Sequence, residues 1–176
     1  MMGLYIVLGI IFFVIIMIIV TRNSLVEKEK KIERNKSLID VYLKKRFDLI
    51  PNLVEVCKGY SKHEQETLEK ITKLRSSFSS NPNEKDLNEL NEFYNKYVAL
   101  IESYPEIKAS ENYLKLQKEL VSVEREIEAS RRMYINSITL YNNQVLKFPS
   151  SLIARVFGFK QEDLPSFQYQ DVKIKF

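Results

Sequence analysis

Residue types that carry catalytic or metal chemistry are almost absent from this chain. It has one cysteine (Cys57), one histidine (His63) and no tryptophan. A zinc protease needs a second histidine in H-E-x-x-H, and a di-iron bundle needs a glutamate three residues before each histidine, where this chain has Tyr60. No glycine-rich phosphate loop is present. The sequence therefore predicts no catalytic residue, no metal site and no cofactor, and its single thiol cannot form an internal disulfide, which fits a reducing compartment.

Residues that break helices are also scarce. The chain has 4 glycines and 5 prolines among 176 residues, whereas charged residues make up 28%. Few breakers and many charges are typical of long helices. We therefore expect an all-α fold.

Charge is missing altogether from residues 4–20, which read LYIVLGIIFFVIIMIIV. At ~1.5 Å per residue this run covers roughly 25 Å, close to the ~30 Å hydrocarbon core of a bilayer, and the three preceding residues extend it. A buried helix of a soluble protein would show a polar stripe. A cleaved signal peptide is the alternative, but no basic residue precedes the run and no small-x-small site follows it. We predict a transmembrane anchor over residues 1–21.

Basic residues cluster directly after the apolar run. Residues 22–46 contain nine Lys or Arg and four Asp or Glu, and no Lys or Arg precedes the run. The positive-inside rule then predicts a single-pass protein of the cell membrane with its N-terminus outside and the rest in the cytoplasm. The cluster fits attraction to anionic lipids or simply a solvated helix face. Interleaved acidic residues argue against a nucleic-acid surface.

Apolar residues recur at spacings of three and four from residue 24 to 78, which predicts one long amphipathic helix. Pro51 lies inside it, so we expect a kink near Phe47, and Gly59 is a second weak point. The helix should end at the polar loop of residues 79–83.

Two further long helices are predicted. A heptad-like seam over residues 83–104 ends at Pro105, and a third stripe runs from about residue 110 to 147. Glu124 and Arg131 lie on that stripe, so they are paired with another helix if they sit in the core, or the stripe is wider than the apolar positions indicate.

A short helix is predicted after Pro149. Ser150 or Ser151 would be its N-cap and Gly158 would end it. We expect four of its side chains to be buried: Leu152, Ile153, Val156 and Phe157. The predicted architecture is an antiparallel bundle of three long helices plus this short one over residues 22–159, followed by an extended or disordered tail at 160–176.

Three segments resemble the LemA family. They are residues 39–55 (IDVYLKKRFDLIPNLVE), residues 104–112 (YPEIKASEN) and the motifs RRMY, YNN and FPSSLIARVFGF within residues 131–159. The resemblance implies a single N-terminal transmembrane helix followed by an antiparallel helical bundle. It implies no assigned catalytic activity.

Seven residues are candidate contacts for a partner or for lipid. Arg46, Asp48 and Asn52 lie near Pro51, although Asp48 or Asn52 is better explained by bonding the backbone groups that the proline frees. The remaining four come from the family-like C-terminal motifs: Arg131, Arg132, Phe157 and Phe159. The two phenylalanines are equally compatible with insertion into lipid, with a partner contact and with capping the bundle end.

The leading functional hypothesis is a membrane-anchored interaction or scaffold protein on the cytoplasmic face, with the bilayer and a protein partner or a second copy as its ligands. The alternative is an enzyme or enzyme accessory subunit with a polar site around Pro51. An enclosed carboxylate cluster there would favour the enzyme, and an open polar surface would count against it. A third possibility is an oligomeric element that remodels membranes.

Overall fold

The computed structural model describes residues 2–58, 64–80 and 84–165. Within these ranges every regular element is helical, which confirms the predicted all-α class. The helices are α1 (Met2–Val56), α2 (Glu64–Ser80), α3 (Glu84–Glu102), α4 (Pro105–Lys108), α5 (Glu111–Leu146) and α6 (Ser150–Phe157). Residues 160–165 are neither helix nor strand, and the rest of the predicted tail lies outside the described ranges.

One predicted helix is in fact two. The stripe from residue 24 to 78 is divided between α1, which ends at Val56, and α2, which begins at Glu64. Pro51 lies inside α1, so the chain passes the proline without ending the helix. The helix closes with a tight turn in which the Lys58 amide donates to the Glu55 carbonyl (3.0 Å), just before Gly59, a residue of low helix propensity. The kink near Phe47 stays a prediction.

The chain forms two compact units. The first comprises Met1–Asn35 and Arg132–Phe176, and the second comprises Lys36–Arg131. Both α1 and α5 therefore contribute residues to each unit. The boundaries predicted at residues 21/22 and 159/160 are not tested by this division and stay predictions.

The second unit has a core of aliphatic and aromatic residues from α1 to α5, much as the stripes predict. The rings of Phe47 and Phe78 join α1 to α2 edge to face, with centroids 4.8 Å apart. Lys70 of α2 lies over the ring of Phe93 of α3, 5.3 Å from its centroid. The largest fully buried side chains of this unit are Phe47, Ile50, Leu53, Val54, Ile71, Leu90, Tyr97, Ile101 and Ile127.

The first unit packs the early part of α1 against the end of α5 and α6. Its core cluster consists of Leu25, Ile32, Ile138, Tyr141, Val145 and Ala154. The side-chain amide of Asn35 donates to the backbone carbonyl of Met133 (3.2 Å), and the side-chain amide of Gln144 donates to the Ser24 hydroxyl (3.3 Å). The earlier residue of α1, Ser24, contacts the later residue of α5, Gln144, and the later residue of α1, Asn35, contacts the earlier residue of α5, Met133. Helix α5 therefore runs antiparallel to α1 within this unit.

Helix α6 ends as predicted but begins differently. Gly158 adopts the left-handed conformation (φ 78°), and the Phe159 amide donates to the Ala154 carbonyl (2.9 Å), as in a Schellman motif. The N-cap is Pro149, without a side-chain bond. Ser150 instead donates its hydroxyl to the carbonyls of Gln144 (2.6 Å) and Lys147 (2.7 Å), so it satisfies the free carbonyl end of α5.

The predicted burial of α6 is wrong for three of four residues. Ile153 is buried, but Leu152, Val156 and Phe157 are 57%, 79% and 47% exposed. The helix therefore presents an apolar face outward. The reason is that Ile153 and Ala154 already fill the side that meets the core, and an eight-residue helix has one such side.

The apolar run of α1 is exposed except at Met17 and Ile18, which are half-buried. Its most apolar 18-residue window has a mean hydropathy of 3.2, and none of that window is buried inside the protein. Among the described residues, α1 is the helix long and apolar enough to cross a membrane. A core helix of a soluble protein would be covered by the rest of the fold, whereas most side chains of this run are not covered by other parts of the protein.

Candidate functional site

A buried ion pair lies inside the second unit. Arg46 of α1 is only 5% exposed, and its Nη1 donates to Oε2 of Glu124 on α5 at 3.0 Å. The Glu124 side chain is 21% exposed. Of the two readings that the sequence left open for Glu124, the structure selects pairing with another helix. We call Arg46, Glu124, Tyr94 and Phe47 the Arg46 cluster.

Aromatic rings complete the Arg46 cluster. The guanidinium carbon lies 5.7 Å from the ring centroid of Tyr94 and 5.9 Å from that of Phe47, within cation–π range. Burial raises the pKa of the Tyr94 phenol, and the neighbouring Arg46 charge opposes that rise. The phenol is therefore neutral at physiological pH and acts as a packing surface for the guanidinium.

The Arg46 cluster contains unused hydrogen-bond donors but no group suited to acid–base catalysis. Nε and Nη2 of Arg46 are buried and have no hydrogen-bond partner among the described residues, and the same holds for the hydroxyl of Tyr97. An arginine cannot act as a base in a protein, and the one carboxylate present is committed to it. The cluster is suited to fixing the register of α1 against α5, and its burial withholds Arg46 from any surface partner.

The other two candidates near Pro51 lie at the surface. Asp48 pairs with Nη2 of Arg75 on α2, and both side chains are partly exposed. Asn52 lines an open groove of about 340 Å³ between α1 and α5. The remaining lining residues are Glu55, Val56, Asn112, Lys115, Leu116 and Glu119.

This groove is not an enclosed acidic site. Asn52, Glu55, Lys115 and Glu119 are all exposed to solvent. Across residues 2–58, 64–80 and 84–165, no group of three or more His, Cys, Asp or Glu side chains is placed to hold a metal ion. An open polar surface around Pro51 was the observation that would count against the enzyme hypothesis.

The C-terminal candidates divide between the two units. Arg131 is half-buried in the second unit, and Arg132 is exposed in the first. Phe159 is half-buried and packs against the core cluster of the first unit. Phe157 is 47% exposed and lies under the guanidinium of Arg22, whose carbon is 5.6 Å from the ring centroid.

The seven predicted contact residues are divided between the two units, and one of them, Arg46, is buried. Sequence reasoning also missed Arg22, Arg75 and the outward face of α6. The signal for that face was present: Leu152 and Val156 are four residues apart, the spacing of one helix face, and Arg155 lies beside them.

An exposed apolar helix at the N-terminus that continues into an all-helical body defines the class of a membrane-associated helical protein. The chain belongs to the LemA family, because the family model matches residues 35–176. It is 29% identical to the Protein LemA of Metamycoplasma hominis over 153 residues, which cover 84% of this chain and 68% of that protein.

A shorter similarity links the chain to magnetosome proteins. It is 29% identical over 66 residues to the Magnetosome protein MamQ of Magnetospirillum gryphiswaldense, and over 68 residues to the Magnetosome protein MamQ 2 of Paramagnetospirillum magneticum. These matches cover 38% and 39% of this chain but only 24% and 25% of the relatives. They extend the family likeness without defining an activity.

Proposed function

We propose that this protein is a single-pass, membrane-anchored interaction protein. The apolar run crosses the cell membrane with its N-terminus outside, and the helical body binds a protein partner or a second copy at the cytoplasmic face. The observation that supports this most directly is the uncovered apolar run, which is continuous in one helix with the buried core.

The proposed mechanism is tethering. Leu25 is fully buried only five residues after Val20, which at 1.5 Å per residue is about 7.5 Å along α1. The body is thus joined to the anchor by continuous helix and not by a flexible linker. Confinement near the membrane raises the effective concentration of the body toward partners in the same membrane.

The orientation is testable with one thiol. Val41 is 58% exposed, so Val41→Cys in a Cys57→Ala background supplies a single accessible cysteine. A membrane-impermeant maleimide should label this cysteine only after lysis. Met2→Cys in the same background is the matched control, because Met2 is 81% exposed at the opposite end of the run and should be labelled in intact cells. The reverse labelling pattern would overturn the proposed orientation.

The interaction role needs a separate test. A proximity-labelling enzyme fused to the C-terminus should mark a small, reproducible set of proteins or the chain itself. The control is the same enzyme fused to the anchor alone, residues 1–21. If both fusions mark the same proteins, the helical body adds no specificity and the proposal fails.

A further inference from the structure

We propose that α6 forms a second membrane contact, inserting its outward face into the headgroup region of the bilayer beside the anchor. This inference rests on the proposed anchor. We call its contact surface the interfacial face and define it by Phe148, Leu152, Val156 and Phe157, together with the basic residues Arg22 and Arg155. Every contact that carries the inference lies within the first unit.

The depth of α6 follows from its contact with α1. Arg22 is two residues beyond Val20, the last residue of the apolar run, which is about 3 Å along the helix axis. Its guanidinium carbon lies 5.6 Å from the ring centroid of Phe157. Phe157 is therefore held at the level where α1 leaves the hydrocarbon, and Arg22 is placed to reach the lipid headgroups.

A second set of contacts fixes the same depth independently. Ala154 on the inner side of α6 belongs to the core cluster that contains Leu25, the fifth residue after Val20. Gln144, near the end of α5, donates to Ser24 at 3.3 Å. The α5–α6 turn is thus packed against the first turn and a half of α1 beyond the membrane boundary.

The chemistry of the interfacial face matches a lipid surface. Phe148, Leu152 and Val156 are 74%, 57% and 79% exposed, although the opposite side of α6 is buried. Residues 146–160 contain three basic residues and no acidic residue. Apolar side chains rimmed by Lys and Arg are the pattern of helices that lie in the membrane interface and favour anionic lipids.

Continuity with the anchor decides the occupant. An apolar face of this kind on a soluble domain would indicate a protein partner. Here the face begins where the uncovered apolar run of α1 ends, so the bilayer is the apolar surface already next to it. A protein partner or a second copy seated on α6 is the competing outcome of the test.

The absence of tryptophan makes the test direct, since one introduced residue is the only indole in the chain. We would reconstitute full-length Val156→Trp into phosphatidylcholine–phosphatidylglycerol vesicles containing lipids brominated near the top of the acyl chain. We expect at least a twofold loss of fluorescence relative to unbrominated vesicles. The substitution leaves the core intact because Val156 is 79% exposed.

Two matched variants set the limits of the measurement. Met133→Trp reports a residue of the same unit that is 54% exposed, and its carbonyl is bonded to Asn35, about 22 Å along α1 from the end of the run. It should show no quenching by brominated lipid. Phe12→Trp reports the anchor itself, about 12 Å along α1 from Val20, and should be quenched by lipids brominated near the end of the acyl chain.

Each outcome decides the matter. Quenching of the residue-156 and residue-12 indoles but not of the residue-133 indole supports the inference. Quenching at residue 12 alone overturns the inference and leaves the proposed anchor standing. A blue-shifted indole at residue 156 that brominated lipid does not quench also overturns it, because it would mean that residue 156 is buried under protein. Quenching at neither residue 12 nor residue 156 overturns both the anchor and the inference.

Discussion

At the scale of single residues, the Arg46–Glu124 pair is an interaction whose loss should destabilise the fold. Two opposite charges packed in a protein interior stabilise each other, but each is costly to leave alone, because its hydration has been lost. Arg46 is 5% exposed, so it has little access to water if Glu124 is neutralised. The pair also fixes which turn of α1 faces which turn of α5.

Glu124→Gln should therefore lower the free energy of unfolding by about 3 kcal/mol, since it leaves a buried guanidinium without its counter-charge. Denaturant unfolding of the full chain in detergent micelles, followed by circular dichroism, measures this. Glu126→Gln is the matched control, because Glu126 is exposed on the same helix. Equal stability of the two variants would show that the ion pair contributes nothing.

The buried tyrosines make stability depend on alkaline pH. Burial raises the pKa of Tyr94, Tyr113 and Tyr141 above the ordinary value of 10.0. The unfolded chain then loses these protons first, so the stabilisation is complete below about pH 10 and is lost as pH rises through the folded-state pKa values. The denaturant midpoint of unfolding should fall as pH rises above about 10, and should fall less steeply in Tyr94→Phe. An unchanged slope in that variant would exclude Tyr94 as a contributor.

At the scale of elements, α6 depends on its two ends. Ser150 is buried, and its hydroxyl donates to the Gln144 carbonyl near the end of α5. Gly158 ends α6 in the left-handed conformation, which costs other residues about 1–2 kcal/mol. Apart from its two neighbours in sequence, no described residue has a heavy atom within 4 Å of where a Cβ at residue 158 would stand, so this cost is conformational and not steric. The orientation of the interfacial face thus depends on one turn of backbone.

Gly158→Ala should destabilise the chain by about 1 kcal/mol, because alanine pays for the left-handed conformation with no compensating bond. Gly158→Asn should cost less, since asparagine tolerates that conformation. Thermal unfolding of both variants in micelles tests the order. Alanine equal to glycine in stability would mean that the helix end rearranges without loss.

At the scale of the whole molecule, the proposed anchor should determine whether the protein stays with the membrane. Placing charge at the centre of a membrane helix costs about 2.5–3.5 kcal/mol per residue in insertion. Ile10→Lys combined with Phe13→Lys should therefore move much of the protein from the membrane pellet to the soluble fraction after alkaline carbonate washing. Val41→Lys, at an exposed position outside the run, is the control. Retention of the double variant in the pellet would mean that other surfaces suffice for membrane binding.

The sequence predicts helices better than it predicts their ends and partners. The long stripes placed α3 and α5 within a few residues of their observed bounds, because a period of 3.6 accumulates over many turns. It placed one helix where α1 and α2 lie, because the apolar spacing continues across the break. The sequence also predicted that four apolar side chains of α6 are buried, because a short helix has too few turns to reveal which side meets the core.

The candidate polar residues near Pro51 show the same limit of prediction from sequence. The position of Glu124 on an apolar stripe indicated either a charge paired with another helix or a wider stripe. Its partner Arg46 is 78 residues away in sequence, and no local pattern links the two. Asp48 and Asn52 were grouped with Arg46 because they are close in sequence. On a helix, neighbours in sequence point to different sides, so Arg46 is buried while Asp48 and Asn52 face solvent.

The sequence by itself determined that the chain is helical, belongs with the LemA family and carries an apolar run of membrane length, because periodicity, motif and hydropathy are written in consecutive residues. Only the tertiary structure decided that Arg46 pairs with Glu124, that Ser150 bonds the last carbonyls of α5, and that Phe157 lies beside Arg22, just after the apolar run. These contacts join residues far apart in the chain, and long-range packing alone selects among the pairings that local patterns leave equally possible.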